Sequence, residues 1–288
     1  MTTLEMVRET FNFSIDKFPL SGPEGMRTPH YGLFRSDNGQ PVGKAVTKRY
    51  VPHTTDDILA LCEAAAAAFE GDLDARCHWN NGHYLTLAPS REHRLAIFGT
   101  NDNIFPRVLI RAGYDGNAFR ASMGWYRDAC KNLSIPKCAG RETCVKIRHT
   151  HSLRGKMTEL VRTFGALRNS WDNVAEQAQQ MQQRRVDMRE FLNAIYPQPE
   201  VWNSGRERTI HENRTEQIIR RLLNEQRQTG RERSGFEVSA WEAYNAVQGY
   251  VQHDATRHGQ PNAFERMLAA QKSEPVKVAE RLAMGLAV

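Results

Sequence analysis

The feature that most limits what this chain can become is a change of hydrophobic period near its middle. Ahead of residue 150 apolar and polar residues alternate over short runs broken by turn-forming pairs, which is the pattern of hairpins; beyond it the apolar residues recur every seven positions. Met157, Phe164, Trp171, Ala178, Arg185 and Leu192 occupy one position of that repeat, and Leu160, Leu167, Val174, Met181, Met188 and Ile195 the position three later. Only Arg185 among them is polar. The spacing predicts a single long helix of about 58 Å at 1.5 Å per residue, stopped by Pro197 and Pro199, with a seam that must bury against a sheet or another helix. The expected fold is α+β: an antiparallel sheet of hairpins with packed helices, followed by the long helix and a helical C-terminal part.

Local signals place the pieces. Residues 1–30 end in Pro19, Gly22, Pro23, Gly25 and Pro29 and read as an irregular arm. Tyr31 to Arg35 and Val42 to Val51, joined through Ser36-Asp37-Asn38-Gly39, read as a hairpin. Thr54 followed by Asp57 is a helix start, and the run Ile58 to Phe69 the helix, its alanines Ala64 to Ala68 suited to close packing on a sheet. A second hairpin is expected across Cys77 to Phe98, turning at Asn80-Asn81-Gly82. Arg107 to Tyr114, Phe119 to Tyr126 and Cys144 to Thr150 read as further strands. These make an α+β core over 31–196. The remainder, 197–288, is expected to be helical: Glu212 to Gln228, Trp241 to Tyr250 with Trp241, Tyr244, Ala246, Val247 and Val251 as core, and Phe264 to about Met284. The charged segment 204–234 is expected to be exposed and mobile.

Charge is concentrated rather than spread. The whole chain of 288 residues carries +6, yet between Arg107 and Lys156 eleven basic residues (Arg107, Arg111, Arg120, Arg127, Lys131, Lys137, Arg141, Lys146, Arg148, Arg154, Lys156) face three acids (Asp115, Asp128, Glu142), a local +8. Such a field suits a polyanion, though it also suits a solvated surface. A mean hydropathy of -0.62, no apolar run near the ~18 residues of a membrane span, and acids Glu5, Glu9 and Asp16 near the start lead to the expectation of neither a membrane span nor a signal peptide. Five cysteines without paired spacing point to a reducing compartment, hence the cytoplasm.

Catalytic patterns are absent: no G-x-S-x-G, no phosphate loop, no dinucleotide fingerprint. Cys130, Cys138, Cys144, His149 and His151 are zinc-ligand types, but without the tight knuckle spacing of structural zinc sites; His78, His83 and His93 near Cys77 are close in sequence only. Asp56 and Asp57 are explained by helix capping, and Asp72, Asp74 and Asp115 by loops and turns. No cofactor is implied. What remains is a basic face. Alternation puts Arg107 and Arg111 opposite Val108 and Ile110, Arg120 opposite Phe119 and Ala121, and Lys146 and Arg148 opposite Val145 and Ile147. Lys44, Lys48 and Arg49 extend it, while Arg127 and Lys131 continue it. Tyr114, Trp125 and Tyr126 lie among these charges, and cations that track phosphates beside aromatic platforms are the recipe for binding single strands without sequence preference. Tyr126 is the main stacking candidate, since Trp125 shares parity with Phe119 and Met123.

Several of these segments also carry a family resemblance. Tyr31-Gly-Leu-Phe-Arg35, Lys48-Arg49-Tyr50-Val51-Pro52, Tyr114-Asp115-Gly116-Asn117-Ala118, Tyr126-Arg127-Asp128-Ala129-Cys130-Lys131-Asn132, Ile147-Arg148-His149-Thr150 and Trp241-Glu242-Ala243-Tyr244-Asn245-Ala246-Val247 occur in an order that resembles a phage and plasmid family known only as domain of unknown function nine-three-two, over roughly 31–253. The resemblance implies a mobile genetic element as the setting. It places Arg127, Cys130, Asn132, Arg148 and His149 at motif positions without an established active site, and Leu133 departs from the residue the family often has after Asn132. The order of elements is also similar to phage single-strand annealing proteins of the Rad52 and Red beta type, which is analogy of fold alone.

The leading expectation is a single-stranded DNA-binding and annealing protein of phage or plasmid recombination. It would be a homo-oligomer, ring or filament, that holds the backbone by Lys44, Lys48, Arg49, Arg107, Arg111, Arg120, Arg127, Lys131, Lys146 and Arg148 with Tyr126 stacking. The alternatives are a metal-dependent nuclease using His149 and Asp128, and a protein-interaction module using the heptad seam.

Overall fold

The computed structural model describes residues 3–69, 74–79, 81–88, 94–97, 99–114, 119–134, 144–147, 153–231, 235–255, 266, 269–270 and 273–286. The chain is α+β, with antiparallel hairpins and, among the described residues, seven α-helices. It divides into two compact units that interleave along the sequence: Met1–His93, Pro106–Gly124 and Arg141–Trp171 form the first, Arg94–Phe105, Trp125–Gly140 and Asp172–Val288 the second. These differ from the boundaries at 30 and 196 expected from composition, because two strands and the long helix each pass from one unit to the other.

The first unit opens with helix α1 (Thr3–Thr10) and strand β1 (Ile15–Ser21), so the expected irregular arm is ordered. Its prolines and glycines are spent locally. Pro23–Gly25 make one 3-10 turn, and Pro19 lies on the edge strand β1, where no ladder amide is needed. β1 pairs with β2 (Arg27–Arg35), which pairs with β3 (Pro41–Thr47). Leu33, Val42, Val46 and Tyr50 from this small sheet bury together with Tyr114. Gly43 has a φ of +65°, and a Cβ there would fall 2.0 Å from the Tyr114 carbonyl oxygen, so only glycine lets the sheet come this close. The next amide, of Lys44, donates to that oxygen at 3.3 Å.

Helix α2 (Thr55–Ala68) starts as the sequence predicts. Thr54 accepts from the Asp57 amide and Asp57 accepts from the Thr54 amide, a reciprocal cap. The larger sheet follows in the order β10-β8-β7-β5-β4, from β4 (Asp74–Trp79), β5 (Gly82–Ala88), β7 (Asn103–Gly113), β8 (Phe119–Arg127) and β10 (Cys144–Ile147). One face buries Leu85, Leu87, Val108, Ile110, Ala112, Phe119 and Ala121. It ends in an aromatic cluster around His83: Phe11 meets that ring edge-on at 4.3 Å, His53 stacks on Tyr114 at 4.4 Å, and the Tyr114 hydroxyl donates to the His53 carbonyl at 2.8 Å. Tyr114 is therefore a core residue and not an accessible platform.

In the second unit the two-residue strands β6 (Leu95–Ala96) and β9 (Leu133–Ser134) pair with the ends of β7 and β8. The long helix α3 (Leu153–Gln183) is 31 residues and stops short of the expected Ile195. Arg185, the one polar position of the heptad repeat, lies in a short strand β11 (Arg185–Asp187) that pairs with β12 (Glu237–Ser239), Val186 opposite Val238. Asp187 then caps a new helix α4 (Met188–Ile195), accepting from the Arg189 and Glu190 amides. A cap inside the repeat ends one helix and starts another.

The helix expected over Glu212 to Gln228 is present and begins earlier, as α5 (Gly205–Gln228), capped by Ser204. Ile218, Leu222, Glu225 and Gln226 are buried one helical turn apart, so a predominantly polar sequence still has one inward stripe. It packs on α6 (Ala240–Gly249), as does α7 (Glu274–Ala283). All of α6 is buried, including the expected Trp241, Tyr244, Ala246 and Val247, and one turn of π-helix, Tyr250–Asp254, extends it with Val251 buried too. No helix among the described residues is long and apolar enough to cross a membrane.

Candidate nucleic-acid interface

The cations of the first unit are ordered by the register of the larger sheet. His78 pairs with Tyr84, which pairs with Arg111; Arg76 pairs with Thr86, which pairs with Leu109. Directly paired residues share a face, so Arg76, His78, Tyr84 and Arg111 all lie opposite the buried Leu85 and Ile110. Phe119 points to the other side, where its ring is 6.3 Å from that of His53, so its neighbour Arg120 lies on the Arg111 side. Lys146 stands opposite Arg120 in the register. The alternation expected for Arg107, Arg111 and Arg120 is what the structure has. Five strands at about 4.8 Å spacing make this face about 19 Å across.

Access to the face is uneven. Arg76 and Arg120 are exposed, and Tyr84, His78 and Arg111 half-buried. Arg107 retains 5% exposure beside buried Leu109 and Thr86, which removes it from the set able to meet a phosphate chain. The Arg111 guanidinium lies 5.6 Å from the centre of the Tyr84 ring, which fixes a partly exposed aromatic beside a cation. Sequence reasoning missed Arg76, His78 and Tyr84. The signal was present as alternation across Asp74–Trp79 and Gly82–Ala88, but the +8 stretch drew the reading to the strands after Arg107. Lys44, Lys48 and Arg49 are exposed on and just after β3, in the three-stranded sheet rather than in this face. Arg148, His149, His151 and Cys138 lie outside the described residues.

Three expected contacts fall in the second unit, and one of them is a structural ion. Arg127 is 1% exposed. Its Nε donates to Asp102 Oδ2 at 2.6 Å, and its Nη1 donates to Glu225 Oε2 and lies 3.3 Å from Cys130 Sγ. Burial opposes its charge, but Cys130 and the two carboxylates more than offset this and raise its pKa well above the ordinary arginine value. The guanidinium is thus paired off with an acid from α5 and takes no part in a phosphate track. Burial pushes the Cys130 thiol up to about 12, leaving no thiolate for chemistry near neutral pH. Trp125, fully buried, packs on Trp241 with ring centres 5.7 Å apart, so it is not a stacking platform either. Tyr126 is half-buried and Lys131 exposed. Among the described residues no three metal-ligating side chains converge.

Two of the segments that carried the resemblance, Tyr126 to Asn132 and Trp241 to Val247, meet in this unit. Asn132 Nδ2 donates to the Asn245 carbonyl at 3.0 Å, Trp241 Nε1 to Asp102 Oδ2 at 3.0 Å, and Gln248 and Gln252 donate to the Leu133 carbonyl at 3.2 and 2.7 Å. The Leu133 amide donates back to Gln252 Oε1 at 3.1 Å. Side-chain amides of α6 and the turn after it therefore satisfy the backbone of β9, as a neighbouring strand would. The model of the domain of unknown function DUF932 matches residues 43–280. The chain belongs to that family. No curated protein and no solved structure matches it, so the more distant likeness to Rad52 and Red beta proteins has no structural neighbour behind it. Within this DUF932 chain the motif residues Arg127, Asn132, Trp241 and Asn245 hold the second unit together.

Proposed function

We propose that this DUF932 protein binds single-stranded DNA through its phosphate backbone, without sequence preference, on the cationic face of the larger sheet. The observation that carries the reading is the register that sets Arg76, Arg111 and Arg120 on one side of the sheet, with Lys146 opposite Arg120, while the other side is core. Cations on strands one or two spacings apart, about 5 to 10 Å, offer a polyanion several contacts at once, and each releases counterions. Tyr84, between His78 and Arg111 in its row, supplies the aromatic surface on which an unstacked base can lie, which favours a single strand over a duplex. Arg107 and Arg127, both buried, take no part, and annealing of complementary strands during recombination is the functional extension of such binding.

Fluorescence anisotropy with a labelled oligonucleotide, single- and double-stranded, tests it. Three phosphate contacts give a slope of log affinity against log salt of about -2 for a single strand. Tighter binding of the single strand with such a slope supports the reading. Affinity that does not change with salt, or cleavage of the label that depends on a divalent metal, would replace it with protein interaction or nuclease action.

A further inference from the structure

The second unit contains a cavity of about 560 Å3 between the turn that follows β8 and the outer side of α5. Lys131 stands at one wall; Gln217, Arg220, Arg221 and Asn224 form the other, and Asp254 closes the end. Lys131 has a φ of +57°, the left-handed region that a side chain other than glycine adopts only at a cost. The turn is closed by the Arg127 amide donating to the Asn132 carbonyl at 3.0 Å, and both ends are fixed, Arg127 by its two carboxylates and Asn132 by Asn245. A strained, exposed cation is therefore held in place by buried anchors on either side, which is how strain is kept at sites that use it.

The acids of the cavity are already committed. Glu225 accepts from Arg127 and Arg221, and Asp254 accepts two bonds from Arg221 at 2.6 and 2.8 Å. Arg220 bonds Glu216 at 2.7 Å, but both side chains are about two-thirds exposed, so water competes with that pair. His253, which meets Asn132 at 3.1 Å, has its pKa lowered by burial first and then by Arg221, with Arg266 and Lys131 acting in the same direction against Asp254. Of the side chains that line the cavity three are basic, Lys131, Arg220 and Arg221, against the acids Glu225 and Asp254.

The geometry points to a binding site for a small phosphate ester with a polar, hydrogen-bonding body, of which a nucleoside monophosphate is the natural form. Lys131 and Arg220 hold the phosphate, and the amides of Gln217, Asn224 and Gln228, each both donor and acceptor, meet base and sugar edges. The volume lies within the range of small-molecule sites. This inference does not rest on the nucleic-acid reading of the larger sheet.

Isothermal titration calorimetry of the full chain with AMP, adenosine and inorganic phosphate tests it. AMP is expected to bind one to one, with adenosine and phosphate each about tenfold weaker or worse, and Lys131→Ala or Arg220→Ala is expected to weaken AMP about tenfold. Lys131→Gly separates strain from binding: it should raise the melting temperature while it weakens AMP as much as Lys131→Ala does. An absence of AMP binding, AMP binding unchanged in Lys131→Gly and Arg220→Ala, or phosphate bound as tightly as AMP would overturn the inference. Arg76→Glu with Arg120→Glu should leave AMP binding intact, so this result stands or falls separately from oligonucleotide binding.

Discussion

Arg127 and Asp102 form an ion pair at 2.6 Å with both side chains almost wholly out of water. Glu225 on α5 completes a triad. Removing the cation leaves two buried carboxylates without the charge that bridges them, a change that costs about 3–5 kcal/mol in comparable sites. Arg127→Ala is therefore expected to lower the urea midpoint of the second unit sharply, and Trp241→Phe, which removes one donor to Asp102, to cost about 1–2 kcal/mol. A midpoint within error of the natural chain for Arg127→Ala would show that the triad is not structural.

His83 supplies a pH dependence with a defined sign. Burial, and next the nearby Arg35, push its pKa down to about 3 from 6.5, and His53 Nε2 meets its Nδ1 at 2.6 Å. Below about pH 6.5 the unfolded chain takes up a proton that the folded chain refuses. The contribution of neutral His83 is complete above pH 6.5 and is lost as pH falls toward 3, by up to about 1.4 kcal/mol per pH unit. Urea midpoints at pH 7 and pH 5 should differ accordingly, and His83→Gln should flatten that difference. A midpoint that rises on acidification would contradict the placement of this ring.

The break between α3 and α4 combines the β11 pairing with one capping carboxylate. Asp187 accepts from two amides at 2.8 and 3.1 Å, so Asp187→Ala is expected to cost about 1 kcal/mol, read as a lower melting temperature. A variant as stable as the natural chain would mean that the β11 pairing alone sets the break.

Much of the fold is legible in the sequence where a local rule acts alone. The Thr54 and Asp57 cap, the two hairpins, the stop before Pro197 and the core face of α6 all follow from such rules. The heptad repeat misled at Arg185 because periodicity says which residues share a face and not whether the backbone is continuous; Val186 bonded across to β12 and Asp187 as a cap outweighed the repeat. Charge in α5 hid its inward stripe because Glu225 and Gln226, polar by composition, are buried by partners remote in sequence, Arg127 and Glu242. The same long-range pairing is why Arg127 counted as a free cation in the sequence and is none in the structure. Arg111 and Arg120 were legible from alternation, whereas Arg76 and Tyr84 needed the strand order.

Tyr84 and Tyr126 make opposite forecasts. Stacking on Tyr84 should contribute about 1–3 kcal/mol for the base it meets, so Tyr84→Ala is expected to weaken oligonucleotide binding while Tyr126→Ala changes it little. Anisotropy titrations of the two variants at one salt concentration decide between them, and a loss confined to Tyr126→Ala would move the interface to the second unit.

The most direct measure of the central claim is the salt dependence of single-strand binding in the natural chain and in Arg76→Glu with Arg120→Glu, two exposed positions on the cationic face. Losing two phosphate contacts should make the slope of log affinity against log salt shallower by about 1.4 and weaken binding to every sequence alike. Equal affinity and an equal slope in both proteins would contradict a phosphate track on this sheet.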